Sequence, residues 1–162
     1  MNNTTIKNLL LDVQQEITDL KALIHRQGPF HTTTPYLTRY SLIKASGTLE
    51  IAFKTIIADF CVTTHSQVDY FIENKVRRNS MNPSYENICR LLGDFDDTWV
   101  NSFKALVSRD SSKARMMSSL KSLSVARNQF AHGGNPNTSI DAIELYYLDG
   151  MRIMSILDAV VR

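Results

Sequence analysis

Apolar residues recur at three- and four-residue steps through most of the chain, and that spacing predicts helices. Ile6, Leu9, Leu10, Val13, Ile17, Leu20, Leu23 and Ile24 mark an amphipathic helix over residues 6–27, ended by Gly28-Pro29. After the Thr32-Thr33-Thr34-Pro35 start signal, a long helix is expected from residue 36 to about Thr64. Its core face is Leu42, Ala45, Leu49, Ala52, Phe53, Ile56 and Phe60. A mixed line of Arg39, Ile43, Ser46, Glu50 and Ile57 runs beside that face, and Ala45-Ser46-Gly47 offers small residues for a close backbone approach. Residues 66–78 read as helical on Val68, Phe71, Ile72 and Val76, closing in the basic tail Lys75, Arg77 and Arg78. Residues 85–92 make a short helix ended by Gly93, and 98–108 another, with Trp99, Val100, Phe103 and Leu106 inside.

Asp110-Ser111-Ser112 caps a helix over residues 113–132, followed by the loop Gly133-Gly134-Asn135-Pro136-Asn137. Thr138 or Ser139 caps the last helix, whose apolar positions are too many for one stripe and imply packing on several sides. No stretch alternates as a strand does, and no repeat or low-complexity tract is present. The expected fold is all-α: a single domain over 1–162, built as a bundle of long helices with shorter ones inserted.

One position breaks the pattern. Met116, Leu120, Leu123, Ala126, Phe130 and Ala131 fall on one arc of the helix before the Gly-rich loop, and Arg127 falls in its middle. An unpaired guanidinium facing a core costs several kcal/mol by the usual estimates, so a carboxylate or a second polar surface is expected to meet it. His132 lies about 140° round from Arg127, where Gly133 and Gly134 end the helix. Taken on packing alone, both side chains could simply be bonding free carbonyls at that end.

Composition narrows the rest. At 43% hydrophobic residues and with no long apolar run, the 162 residues fit a protein without membrane attachment. The polar Met1-Asn2-Asn3-Thr4-Thr5 start resembles no signal peptide, so a cytoplasmic location is expected. Cys61 and Cys89 have no metal-site or disulfide spacing and read as buried thiols. Asp96-Asp97 reads as a helix cap rather than a metal pair, and no metal or other cofactor is expected. A net charge of +2 permits a nucleic-acid partner without requiring one. Lys104, Arg109, Lys113 and Arg115 form a basic stretch that is either a solvated face or a track for an RNA backbone. His25, His31 and His65 stand in separate elements and read as surface or packing residues.

Arg127-Asn128-Gln129-Phe130-Ala131-His132-Gly133 resembles the Arg-x4-6-His motif of the HEPN superfamily. Tyr36-Leu37-Thr38-Arg39-Tyr40 with Ala45-Ser46-Gly47-Thr48-Leu49-Glu50 is similar to the early long helix of its RiboL-PSP-HEPN branch. The likeness runs from about Tyr36 to the end and is least informative between Ser66 and Asp110. It implies a helical, homodimeric, metal-independent endoribonuclease whose Arg and His from both subunits line one cleft, acting as a toxin or phage-defence effector with an antitoxin or other defence protein as partner. Catalytic roles fall to Arg127 and His132, with Asn128 and Glu50 supporting; Glu50 is expected to hold Arg127 when the cleft is empty. Arg39, Lys113 and Arg115 stand as RNA contacts. The alternative is a non-catalytic module of the same fold that binds nucleotide, RNA or a partner protein.

Overall fold

A computed structural model describes residues 1–62 and 65–161. Among them it shows seven α-helices and no strand: α1 (Thr4–Gln27), α2 (Thr34–Phe60), α3 (Ser66–Ile72), α4 (Tyr85–Gly93), α5 (Asp97–Arg109), α6 (Lys113–Ala131) and α7 (Ile140–Val160). A π-helical stretch, Glu73–Arg77, continues α3.

The caps follow from local chemistry. Asn3 accepts from the Ile6 amide at 3.0 Å, Asp96 from Thr98 at 2.6 Å, Ser84 from Asn87 at 3.2 Å and Ser139 from Ala142 at 3.2 Å, each satisfying an orphan N–H of a first turn. Asp96 therefore is a cap, as its position before a helix indicated. Gly28 ends α1 with φ 91°, a conformation that a side chain would strain.

The last helix is the centre of the bundle. α7 packs against α6, α2, α1 and α5, and Ile143, Tyr147, Ile153, Met154 and Leu157 on it are fully buried. This accounts for its apolar residues on several sides. Tyr147 donates its hydroxyl to the Leu10 carbonyl at 3.1 Å, which keeps the one polar atom of a buried ring satisfied. The close approach lies at Gly150 rather than at Gly47. A Cβ on Gly150 would stand 2.4 Å from Leu49 Cδ1, whereas nothing lies within 4 Å of one on Gly47.

Three apolar assignments are corrected. Phe60, placed on the core face of α2, is 51% exposed and meets Trp99 edge-on with ring centroids 4.9 Å apart. Val68 and Phe71 are exposed while Ile72 and Val76 are buried, because α3 is held to the bundle by one narrow face. Leu106 is exposed and its neighbour Val107 takes the inner position. α2 ends at Phe60, and the expected end near Thr64 lies outside the described residues. Cys61 and Cys89 are free and half-buried rather than enclosed, with burial raising both thiol pKa values.

Candidate functional site at the C-terminal end of α6

The arc that carries Arg127 does not stay in the core. Met116, Leu120, Leu123 and Ala126 are buried, but at the last turn the cover thins: Arg127 and Phe130 are half-buried, Phe130 still against the core, and Ala131 is exposed. The expected conflict between a guanidinium and an apolar core is eased because Arg127 is only half-buried, while Phe130 beside it still packs against the core. No carboxylate meets Arg127 among the described residues. Its Nη1 donates to Asn128 Oδ1 at 3.3 Å.

The helix end closes on itself. Gly133, at φ 82°, donates its N–H to the Phe130 carbonyl at 3.0 Å, and Gly134 donates to Gln129 at 2.9 Å. These two bonds are the Schellman pattern, and they satisfy the Phe130 and Gln129 carbonyls with backbone alone. The reading in which Arg127 and His132 merely bond free carbonyls loses its basis, since neither side chain donates to one among the described residues. His132 is exposed, and its ring has no hydrogen-bond partner among those residues.

Asn128 is fixed from the other side. Asn82, in the loop before α4, donates its Nδ2 to Asn128 Oδ1 at 3.1 Å, and Asn87 donates to the Asn82 carbonyl at 2.9 Å. That loop is in turn held by α2. Glu50 Oε1 accepts from the Met81 amide at 2.9 Å and from Lys54 at 2.9 Å, while the buried Lys54 ammonium also donates to the Asn79 carbonyl at 2.7 Å. Glu50 therefore does not pair with Arg127 as expected, because its carboxylate is engaged by Lys54 and the loop amide. It reaches the motif only through the loop that presents Asn82.

Arg39 stands beside the motif. Its Nη2 donates to Asn135 Oδ1 at 2.7 Å, and its guanidinium carbon lies 5.9 Å from the centre of the Phe130 ring. The other basic residues are elsewhere. At 1.5 Å per residue Lys113 starts α6 about 20 Å from Arg127, and its Nζ donates to Ser108. Arg115 is spent on Asp149, a carboxylate only 2% exposed on α7: its Nε lies 3.1 Å from both oxygens, Nη2 lies 2.9 Å from one, and Ser119 donates to the other at 2.7 Å. The sequence reading missed Asn82 and Asn135, because an asparagine in a turn looks the same whether it faces water or a motif 46 positions away.

A family model described as RiboL-PSP-HEPN matches residues 8–161. The chain belongs to the RiboL-PSP-HEPN family. The match spans α2 and α6 together, the two helices whose Arg39, Glu50, Arg127 and His132 carried the resemblance. No curated protein and no solved structure matches this HEPN chain. No helix among its described residues is long and apolar enough to cross a membrane.

Proposed function

We propose that this HEPN protein is a metal-independent endoribonuclease, working as a homodimer with Arg127 and His132 of both protomers around one RNA-binding cleft. The observation that carries the reading is the state of the motif's two side chains. Among the described residues Arg127 meets no carboxylate and the His132 ring meets no hydrogen-bond partner, while the Gln129 and Phe130 carbonyls beside them are already taken by Gly134 and Gly133. Both side chains are thus open to a substrate rather than engaged within the fold.

In this reading His132 takes the proton of an RNA 2′-hydroxyl or returns one to the leaving oxygen, a task suited to an imidazole, whose ring nitrogens can accept or donate a proton. The 2′-oxygen bonds to the adjacent phosphorus, the bond from phosphorus to the 5′-oxygen breaks, and that oxygen leaves protonated. Arg127 donates to the phosphorane oxygens as their charge builds. Asn128, held by Asn82, orients Arg127. Arg39 and Lys113 are the RNA contacts, and Arg115 serves the fold through Asp149. Among the described residues no three His, Cys, Asp or Glu side chains gather as metal ligands.

Pairing of protomers through α6 with one or both of α2 and α7 is supported by exposed apolar residues on these helices. Val125 is 57% exposed, two turns before His132 on the same face of α6. Tyr36, Tyr40, Ile43 and Ile51 form an exposed line on α2, and Leu145 and Leu148 are exposed on α7. The biological role is that of a toxin or defence effector held in check by a partner protein. The test is growth of cells expressing wild type beside His132→Ala: wild type arrests growth and the variant does not, whereas equal growth at equal expression contradicts the toxin role.

A further inference from the structure

A cleft of about 750 Å³ opens where the end of α1 and the start of α2 meet the loop that follows His132 and the first turn of α7. That volume lies in the range of about 300–1,000 Å³ typical of small-molecule sites. Ile24, Pro35, Pro136 and Tyr146 give it flat, apolar walls, and Arg39 lines it from α2.

Its charges are unequally satisfied. Asp141, in the first turn of α7, holds an ion pair to Lys21 at 3.0 Å and lies 3.1 Å from His25 Nε2. A carboxylate already occupies that helix N-terminus, so a second anion is not favoured there. Among the described residues Arg39 meets no carboxylate, only the neutral Asn135 and the Phe130 ring. The cleft thus offers, among the described residues, a guanidinium without a carboxylate partner beside a chamber of mixed apolar and polar walls. A ligand that fits carries an anionic group at one end and a flat, weakly polar body at the other.

We propose that this cleft binds one nucleotide of the RNA substrate, flanking the cut, with its phosphate at Arg39 and its base against Tyr146 and Pro136. The proposal rests on the RNA-cleaving reading above and adds a subsite to it. Arg39 is bonded to Asn135, three residues after His132, which is at most about 11 Å of chain. A base stacked on aromatic and proline surfaces is held with little dependence on its identity, and the guanidinium supplies the phosphate contact.

The test titrates the full-length protein with uridine and adenosine 5′-monophosphates, followed by amide chemical shifts, with ribose 5-phosphate as a probe lacking the base. Both nucleotides should move the amides of Thr38, Ser139 and Ala142, and ribose 5-phosphate should leave Ala142 unmoved. Ala142→Phe, which fills the cleft, and Arg39→Gln should each weaken nucleotide binding by about tenfold or more, the second without disturbing the core. Equal shifts from ribose 5-phosphate, or nucleotide shifts away from the cleft, overturn the proposal. Binding is read without cleavage, so a protein that cuts RNA but shows no shift in the cleft refutes the subsite alone. One that binds nucleotides here yet cuts no RNA refutes the nuclease reading alone.

Discussion

Asn82 donates its side-chain amide to Asn128 Oδ1 at 3.1 Å, and the same oxygen accepts from Arg127 at 3.3 Å, so a loop 46 positions upstream fixes the neighbour of the motif arginine. Asn128 cannot turn its oxygen to solvent without losing both donors.

Asn82→Ala should therefore lower the cleavage rate by about tenfold, the order of one lost hydrogen bond at a half-buried site, while leaving helical content unchanged. Asn82→Gln should recover part of that loss if the added methylene lets the amide reach. Steady-state cleavage with circular dichroism on the same samples measures both. An Asn82→Ala protein as active as wild type would show that Asn128 holds Arg127 unaided.

Two glycines in helix interiors should respond with opposite signs. Replacing glycine by alanine gains about 0.5–1 kcal/mol of helix stability where there is room, as at Gly47. At Gly150 the new methyl falls 2.4 Å from Leu49 Cδ1 and 3.3 Å from Leu120 Cδ2, both on fully buried side chains that have no space to retreat into. Overpacking of this kind costs about 1–3 kcal/mol and outweighs the helix gain. Urea unfolding should move to higher midpoint for Gly47→Ala and lower midpoint for Gly150→Ala, with a further drop for Gly150→Val.

Acid should destabilise the fold through its caps and pairs. Asp96 is held below the usual carboxylate range by its hydrogen bonds to Thr98, Asp110 by the Ser112 amide and then Arg152, and Asp141 by hydrogen bonds from Lys21 and then His25. A carboxylate with a lowered folded pKa adds stability above its unfolded value, about 3.9 for Asp, and loses it as pH falls through the folded value. The urea midpoint should be level with respect to these groups from about pH 7 to 5 and fall below about pH 4. In Asp141→Asn the acid-induced fall should be shallower. An unchanged slope would mean that Lys21 and His25 pair with Asp141 no better than solvent does.

The helices were legible because their signals are local. Spacing gave α1, α2 and α6, and caps such as Asp96 and Ser139 sit where short polar side chains precede an apolar run. The Gly133-Gly134 end of α6 was legible for the same reason. Periodicity could not tell which residues at the edge of a stripe are covered, since that depends on which neighbour arrives: Phe60 and Leu106 lie outside the core for this reason alone. The partner of Glu50 was equally hidden. Lys54, four residues on, and the Met81 amide compete for its carboxylate at close range, and nothing in the spacing of α2 tells that they win over Arg127. The placement of Arg127 on an apolar arc was visible, but that the arc is only partly covered at its last turn depends on which neighbours reach it.

The most direct test of Arg127 and His132 as a nuclease site is cleavage of an RNA bearing a single 2′-deoxy nucleotide at the cut, in EDTA, by wild type, Arg127→Ala and His132→Ala. Wild type should cut the all-ribose RNA to a 2′,3′-cyclic phosphate and a 5′-hydroxyl, and leave the substituted linkage intact. Each variant should lose about a hundred- to a thousandfold in rate with its fold preserved. Cleavage at the 2′-deoxy position, or full activity in His132→Ala, would contradict the account.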